Sequence, residues 1–219
     1  MMTDNARSVS YAIDHDVAVI RLDRAPVNAI DLPMIAGLER TLDELAYTPQ
    51  IRGLVLAGAG ANFSAGLDLK IVPTYAEASL RTLSATINRV ILKLYGQPLP
   101  TVAAIRGAAL GGGFCLALAC DYRICSERDA KLGLPEVTAG IPYPAGPLEL
   151  VQAELDPALR RRLALFGATL TPPAALEAGV VDELAPDAEL AGRAVEATLR
   201  LAHLPAYAAV KKSAAKRCA

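Results

Sequence analysis

The sequence predicts an α/β protein built as a stacked or spiral repeat, and three observations carry that expectation. An apolar strand, a loop of small residues and a helix follow one another three times with loose spacing. Hydrophobic residues make up 53% of the chain, Trp is absent and Ala is abundant, which suits helices packed closely through small side chains. The 219 residues suffice for one substantial core, and from Leu148 onward the pattern is mainly helical.

Bulk properties narrow the function classes. Lys plus Arg number 22 against 23 Asp plus Glu, and the pI is near 6.1, so nothing favours nucleic acid or an anionic membrane as a partner. The uncharged run from Gly107 to Cys120 is too short and too glycine-rich to span a bilayer. The opening MMTDNARS has no apolar signal core, and a cytoplasmic protein is expected. Cys115, Cys120, Cys125 and Cys218 form no CxxC pair, so buried free thiols are expected rather than a metal site or a disulfide framework. His15 and His203 are the only histidines. Both sit in surface-like settings, which argues against a Ser-His-Asp triad.

The elements follow in order. Ser8 to Ile13 and Val17 to Asp23 alternate around the polar Asp14-His15-Asp16 turn as a β-hairpin. Leu32 to Ala46 places Ile35, Leu38, Leu42 and Leu45 on one helical face, with Asp31 and Pro33 as its start. Ile51 to Ala57 is a nearly all-apolar strand, as expected where both faces are covered. It runs through Gly58 to Asn62 into Phe63 to Lys70, where backbone amides are bare around Leu67. Ala76 to Tyr95 is a long helix ended by Gly96 and Pro98.

Thr101 to Asp121 then reads as a strand, a turn of small residues and a buried helix. Gly111, Gly112 and Gly113 leave the backbone bare where that helix begins. Its N–H groups can face an oxyanion there, or the glycines can serve only close helix-strand packing. Neither GxGxxG nor a P-loop is present. Two such loops, near Leu67 and near Gly112, suit convergence on one carbonyl oxygen. Tyr122 to Cys125 and Lys131 to Leu134 are short strands, and Glu136 is a single carboxylate among apolar neighbours. Prolines make Gly140 to Pro147 a rigid loop. Helices are expected at Leu148 to Glu154, Pro157 to Phe166, Pro172 to Ala178 and Ala188 to Leu204, with Arg160 to Arg162 on a solvated face.

An ordered set of segments then resembles the crotonase superfamily, the enoyl-CoA hydratase and isomerase proteins. It comprises PVNA from Pro26, FSAGLDL from Phe63, ALGGG from Ala109, LALACD from Leu116, GLPE from Gly133 and ALEAGVVD from Ala175. SAGLDL, LACDYRI and PPAALEAGVVDE are closest in motifs to 3,2-trans-enoyl-CoA isomerases. The resemblance implies a crotonase-like spiral of ββα units with a C-terminal helical region. Residues 1–150 would form the core with an acyl-CoA site, and 151–219 a helical oligomerisation region that is short against the family. It also implies a homotrimer or hexamer, an acyl-CoA thioester as substrate, and no cofactor beyond the coenzyme A that the substrate carries.

In the family two backbone N–H groups hold the thioester carbonyl, and these map onto Leu67 and Gly112. Of the two acids used by hydratases, the second maps onto Glu136, whereas Cys115 stands at the first. Hydration divides water activation and carbon protonation between two carboxylates, while shifting a proton between two carbons needs one. An isomerase is therefore favoured over a hydratase. Cys115 is expected to be a small core residue beside the substrate rather than a nucleophile. Arg24 and Lys70 are expected at the CoA phosphates, Ala65 at the adenine through its backbone, and Gly66, Asp68 and Gly111 among the residues that bind the substrate and its CoA. A decarboxylase or thioester hydrolase would use the same hole, and a non-catalytic acyl-CoA-binding scaffold stays open as a different class.

Overall fold

Alternation along the strands sets the layering. In the computed structural model, which describes residues 8–215, β1 (Val9–Asp14) and β2 (Val17–Leu22) form the expected antiparallel hairpin. Next come α1 (Leu32–Ala46), β3 (Gly53–Gly58), α2 (Glu77–Tyr95), β4 (Thr101–Ile105), β5 (Ala108–Leu110) and α3 (Gly112–Leu118). The chain continues through β6 (Tyr122–Ser126), β7 (Lys131–Gly133), α4 (Glu136–Ala139), α5 (Ala145–Glu154) and α6 (Pro157–Phe166). It closes with β8 (Thr169–Leu170), α7 (Pro172–Glu177), β9 (Glu183–Ala185), α8 (Leu190–Ala202) and α9 (Tyr207–Ala215).

The larger sheet has the order β1-β2-β3-β4-β6-β9, parallel from β2 onward. Ala18, Ile20, Leu54, Leu56, Ala103 and Ile105 point into the main core beneath α1 and α2. Their neighbours Val17, Val19, Val55, Val102 and Ala104 point to the opposite face, which α8 covers with Leu190, Ala194, Val195 and Ala197. Burial on both faces explains why these strands read as unbroken apolar runs.

A second layer runs alongside. β5 pairs with β7, and β7 with β8. Isolated bridges Ile30↔Leu67 and Ser64↔Ala109 extend that layer toward the N-terminus. Each turn of the chain thus gives one strand to the large sheet and one short rung to the small one, the spiral that the sequence implied. Residues after 150 do more than form helices. β8 and β9 enter the two sheets and α8 covers the large one.

Asp31 caps α1 by accepting the Met34 N–H at 2.9 Å, and Asp156 caps α6 through the Ala158 N–H at 2.9 Å. At the far end of the sheet, buried Lys211 from α9 meets Asp121 at 2.6 Å, and the Thr101 N–H and hydroxyl each donate to Asp121 at 2.8 Å. Among the described residues no helix is long and apolar enough to cross a membrane, and no cluster of His, Cys, Asp and Glu is fit to hold a metal.

Candidate active site

Asn28 assembles the first half of the site. It lies buried at φ 51°, a conformation Asn tolerates better than most residues. Its side-chain amide donates to the Asn62 carbonyl at 2.7 Å and the Ala59 carbonyl at 3.0 Å, while its own carbonyl accepts from the Ser64 hydroxyl at 2.7 Å. The loop from Ala59 to Ser64 is thereby fastened to the one containing Asn28.

Leu67 follows in a parallel bridge with Ile30, in which Ile30 makes both hydrogen bonds. It donates to Gly66 at 2.7 Å and accepts from Asp68 at 2.9 Å. Leu67's own N–H therefore turns to the other side, and among the described residues it donates to nothing.

The second half is the glycine turn. Gly111, at φ 53°, caps α3, so Gly112 opens the helix with an N–H that has no acceptor among the described residues. A Cβ on Gly66 would sit 2.6 Å from the Leu110 carbonyl and 3.2 Å from the Gly112 nitrogen. The two loops consequently touch, which side chains there would prevent. Close packing and ligand-ready amides, left open by the sequence, are both present at this turn.

Glu136 completes the arrangement. It is the first residue of α4, and its Oε1 would lie 2.8 Å from a Cβ on Gly111, so the carboxylate rests on the bare glycine. Burial pushes the Glu136 carboxyl above its ordinary pKa; hydrogen bonds from its own backbone N–H and from Tyr143 oppose that shift. The Tyr143 hydroxyl lies 3.0 Å from Glu136 Oε2 and 3.2 Å from the Leu134 carbonyl.

A cavity of about 30 Å³ joins these groups, lined by Leu67, Gly112, Cys115, Glu136 and Tyr143 and walled by Ile30, Ile87 and Ile91. Its floor is apolar. Buried Cys115 contributes a thiol whose pKa is driven far up by burial and by Glu136, so it stays protonated and poorly nucleophilic. His15 and His203 are exposed and outside the cavity, as expected.

Of the outer residues, Arg24 and Asp68 are engaged with each other and Lys70 is exposed. Arg24 spends its guanidinium on Asp31 at 3.1 Å and Asp68 at 2.8 Å, since two mostly buried carboxylates need a counter-charge. Asp68 also accepts the Lys70 and Ile71 N–H groups at 2.9 and 3.1 Å, and this arrangement holds its carboxyl below the usual range. Both residues lock the Leu67 loop. The Ala65 N–H is occupied by the Val27 carbonyl at 2.9 Å, which leaves only its own carbonyl for an adenine. Lys70 is exposed, and its ammonium is paired with no carboxylate among the described residues. The sequence reading passed over two contributors, the Asn28 amide network and the Tyr143 hydroxyl. For the second, the cue was a tyrosine between two prolines just after a lone carboxylate.

Comparison with known proteins fits this geometry. The family model described as enoyl-CoA hydratase/isomerase matches residues 12–218. A probable enoyl-CoA hydratase of Bacillus subtilis is 38% identical over 135 residues, 61% of this chain and 52% of its own length. The human peroxisomal bifunctional enzyme is 33% identical over 168 residues, 77% of this chain but 22% of that protein. This chain therefore spans about half or less of these curated relatives. Among solved structures, human mitochondrial delta3-delta2-enoyl-CoA isomerase superposes with a TM-score of 0.88 at 29% identity, covering 96% of this chain and 85% of the other. An enoyl-CoA hydratase of Mycobacterium ulcerans gives 0.88 and 29%, covering 96% and 92%. The family-model match over residues 12–218, together with superpositions at TM-score 0.88, places this protein in the enoyl-CoA hydratase/isomerase family.

Proposed function

We propose that the chain moves the double bond of a 3-enoyl-CoA to the 2-position, with Glu136 as its single proton shuttle. The observation that carries this reading is the pairing of Glu136 with Cys115. Among the described residues one carboxylate, Glu136, lines the cavity, and Cys115 lines it with a protonated thiol.

Removing a proton from C2 of the thioester sends its electron pair toward the carbonyl oxygen. The N–H groups of Leu67 and Gly112 are positioned to receive that charge, and losing one such donor typically costs about 3 kcal/mol of barrier. Glu136 takes the C2 proton as a carboxylate and returns it to C4 as a carboxylic acid, so the double bond moves without a second acid. Burial brings its pKa toward the working pH, which such a shuttle requires. The exposed Lys70 is the free cation nearest in sequence to the Leu67 loop, and we assign it to the CoA phosphates. A homotrimer or hexamer is the assembly we expect. Hydratases among the relatives keep hydration as the competing reaction.

Glu136→Gln tests the reading. Turnover of 3-hexenoyl-CoA should fall by at least about a thousandfold, within the range that positioned proton transfer contributes. Calorimetric affinity for a CoA thioester should stay within about threefold. Full residual turnover would remove Glu136 from the mechanism, and thioester binding by the parent protein with no turnover would favour the acyl-CoA-binding scaffold.

A further inference from the structure

The proline-rich loop from Gly140 to Pro147 carries a hydroxyl aimed at the shuttle. Gly140 ends α4 in the left-handed conformation at φ 68°, and the Ile141 N–H bonds back to the Glu136 carbonyl at 3.1 Å. The chain thus reverses over Glu136. Pro142 and Pro144 flank Tyr143 and fix its backbone, and the Gly146 N–H is held by the Asn88 side chain at 3.1 Å. The phenol is pinned before substrate arrives.

Its single proton has two acceptors in reach, Glu136 Oε2 at 3.0 Å and the Leu134 carbonyl at 3.2 Å. An ionised carboxylate is the stronger acceptor, so the hydroxyl donates to Oε2 while Glu136 is charged. Oε1 lies over Gly111, 2.8 Å from where a Cβ would sit, whereas Oε2 lies farther off at 3.7 Å. We infer that Tyr143 is the positioning residue of the shuttle: by donating to Oε2 it leaves Oε1 as the oxygen that takes and returns the substrate proton. The inference rests on the isomerase reading above. Once Glu136 is protonated on Oε1, the Leu134 carbonyl offers the phenol a second acceptor, and the acid is freed to give its proton up at C4. Burial and the neighbouring carboxylate both push the phenol's own pKa up, which keeps it a donor. The titratable side chain acting on Glu136 is Tyr143 from this loop, whereas Glu136 itself helps to keep the neighbouring Cys115 thiol of α3 neutral.

Tyr143→Phe keeps the ring and removes the donor. A hydrogen bond to the charged form lowers the pKa of Glu136, so its loss raises that pKa further. The acid limb of kcat/KM should move up by about one pH unit, a tenfold change in the protonation equilibrium. At the plateau, kcat should fall by about tenfold while CoA thioester affinity and melting temperature hold. 3-Fluorotyrosine at 143, a stronger donor on the same ring, should move the limb down. A Tyr143→Phe profile that superposes on the parent would overturn the inference, as would a loss of rate explained wholly by KM. If Tyr143→Phe does not fold, the fluorotyrosine limb decides alone, and no movement there overturns it. Should Glu136→Gln stay active, the isomerase reading fails instead, so the two failures are distinguishable.

Discussion

At the scale of single residues, the chemistry turns on what faces Glu136. Cys115 is 1% exposed and its thiol is held neutral by burial, so it supplies volume and an apolar wall. Cys115→Ala should therefore keep turnover of a 3-enoyl-CoA within about threefold, and iodoacetamide should leave the parent enzyme active. A hundredfold loss in that variant, read by initial rates, would make the sulfur a participant. Gly111 matters for a related reason, since at φ 53° with the carboxylate against its Cα it accepts no side chain. The burial of Cys115 was legible in the sequence, which expects a small core residue there. The hydroxyl of Tyr143 was not, because a contact between residues 136 and 143 depends on the left-handed turn at Gly140, which no periodicity reports.

At the scale of elements, two short connections do the positioning. The Leu67 loop is fastened by Asn28, by Ser64 and by the Arg24 pairs to Asp31 and Asp68. Asn28→Ala would leave the Asn62 and Ala59 carbonyls without their donor in a buried setting. Each such orphan costs about 1–3 kcal/mol. Chemical denaturation should show a loss of about 2 kcal/mol or more, and kcat should fall even where the variant remains folded, because Leu67 loses its fixed direction. Unchanged kcat in the folded variant would detach Asn28 from the site. PVNA was readable as a motif, yet its work was not. Asn28 bonds residues more than 30 positions away, and only the folded spiral brings them together.

Across the whole molecule, the long elements announced themselves. α1 falls on Leu32–Ala46 and α6 on Pro157–Phe166 because each has an acidic cap, a proline in its first turn and a 3.6-residue apolar stripe or a terminal glycine. β5 and β8 run for three and two residues, too short to show any alternation, so of the small sheet only β7 was legible, even though β5 leads into the turn that opens onto Gly112. The region after residue 150 read as helical for the same reason, although it also feeds strands to both sheets. The spiral brings the Leu67 loop against the glycine turn and Glu136 of α4 against Gly111, the arrangement that the proposed shuttle uses. Whether that arrangement shifts a double bond or adds water is best decided by initial rates on 3-hexenoyl-CoA and crotonyl-CoA with the same enzyme preparation. A single-carboxylate shuttle predicts that 3-hexenoyl-CoA gains conjugated absorbance at least tenfold faster than crotonyl-CoA loses it; equal or faster loss from crotonyl-CoA, with no conjugation of the 3-enoyl thioester, would contradict it.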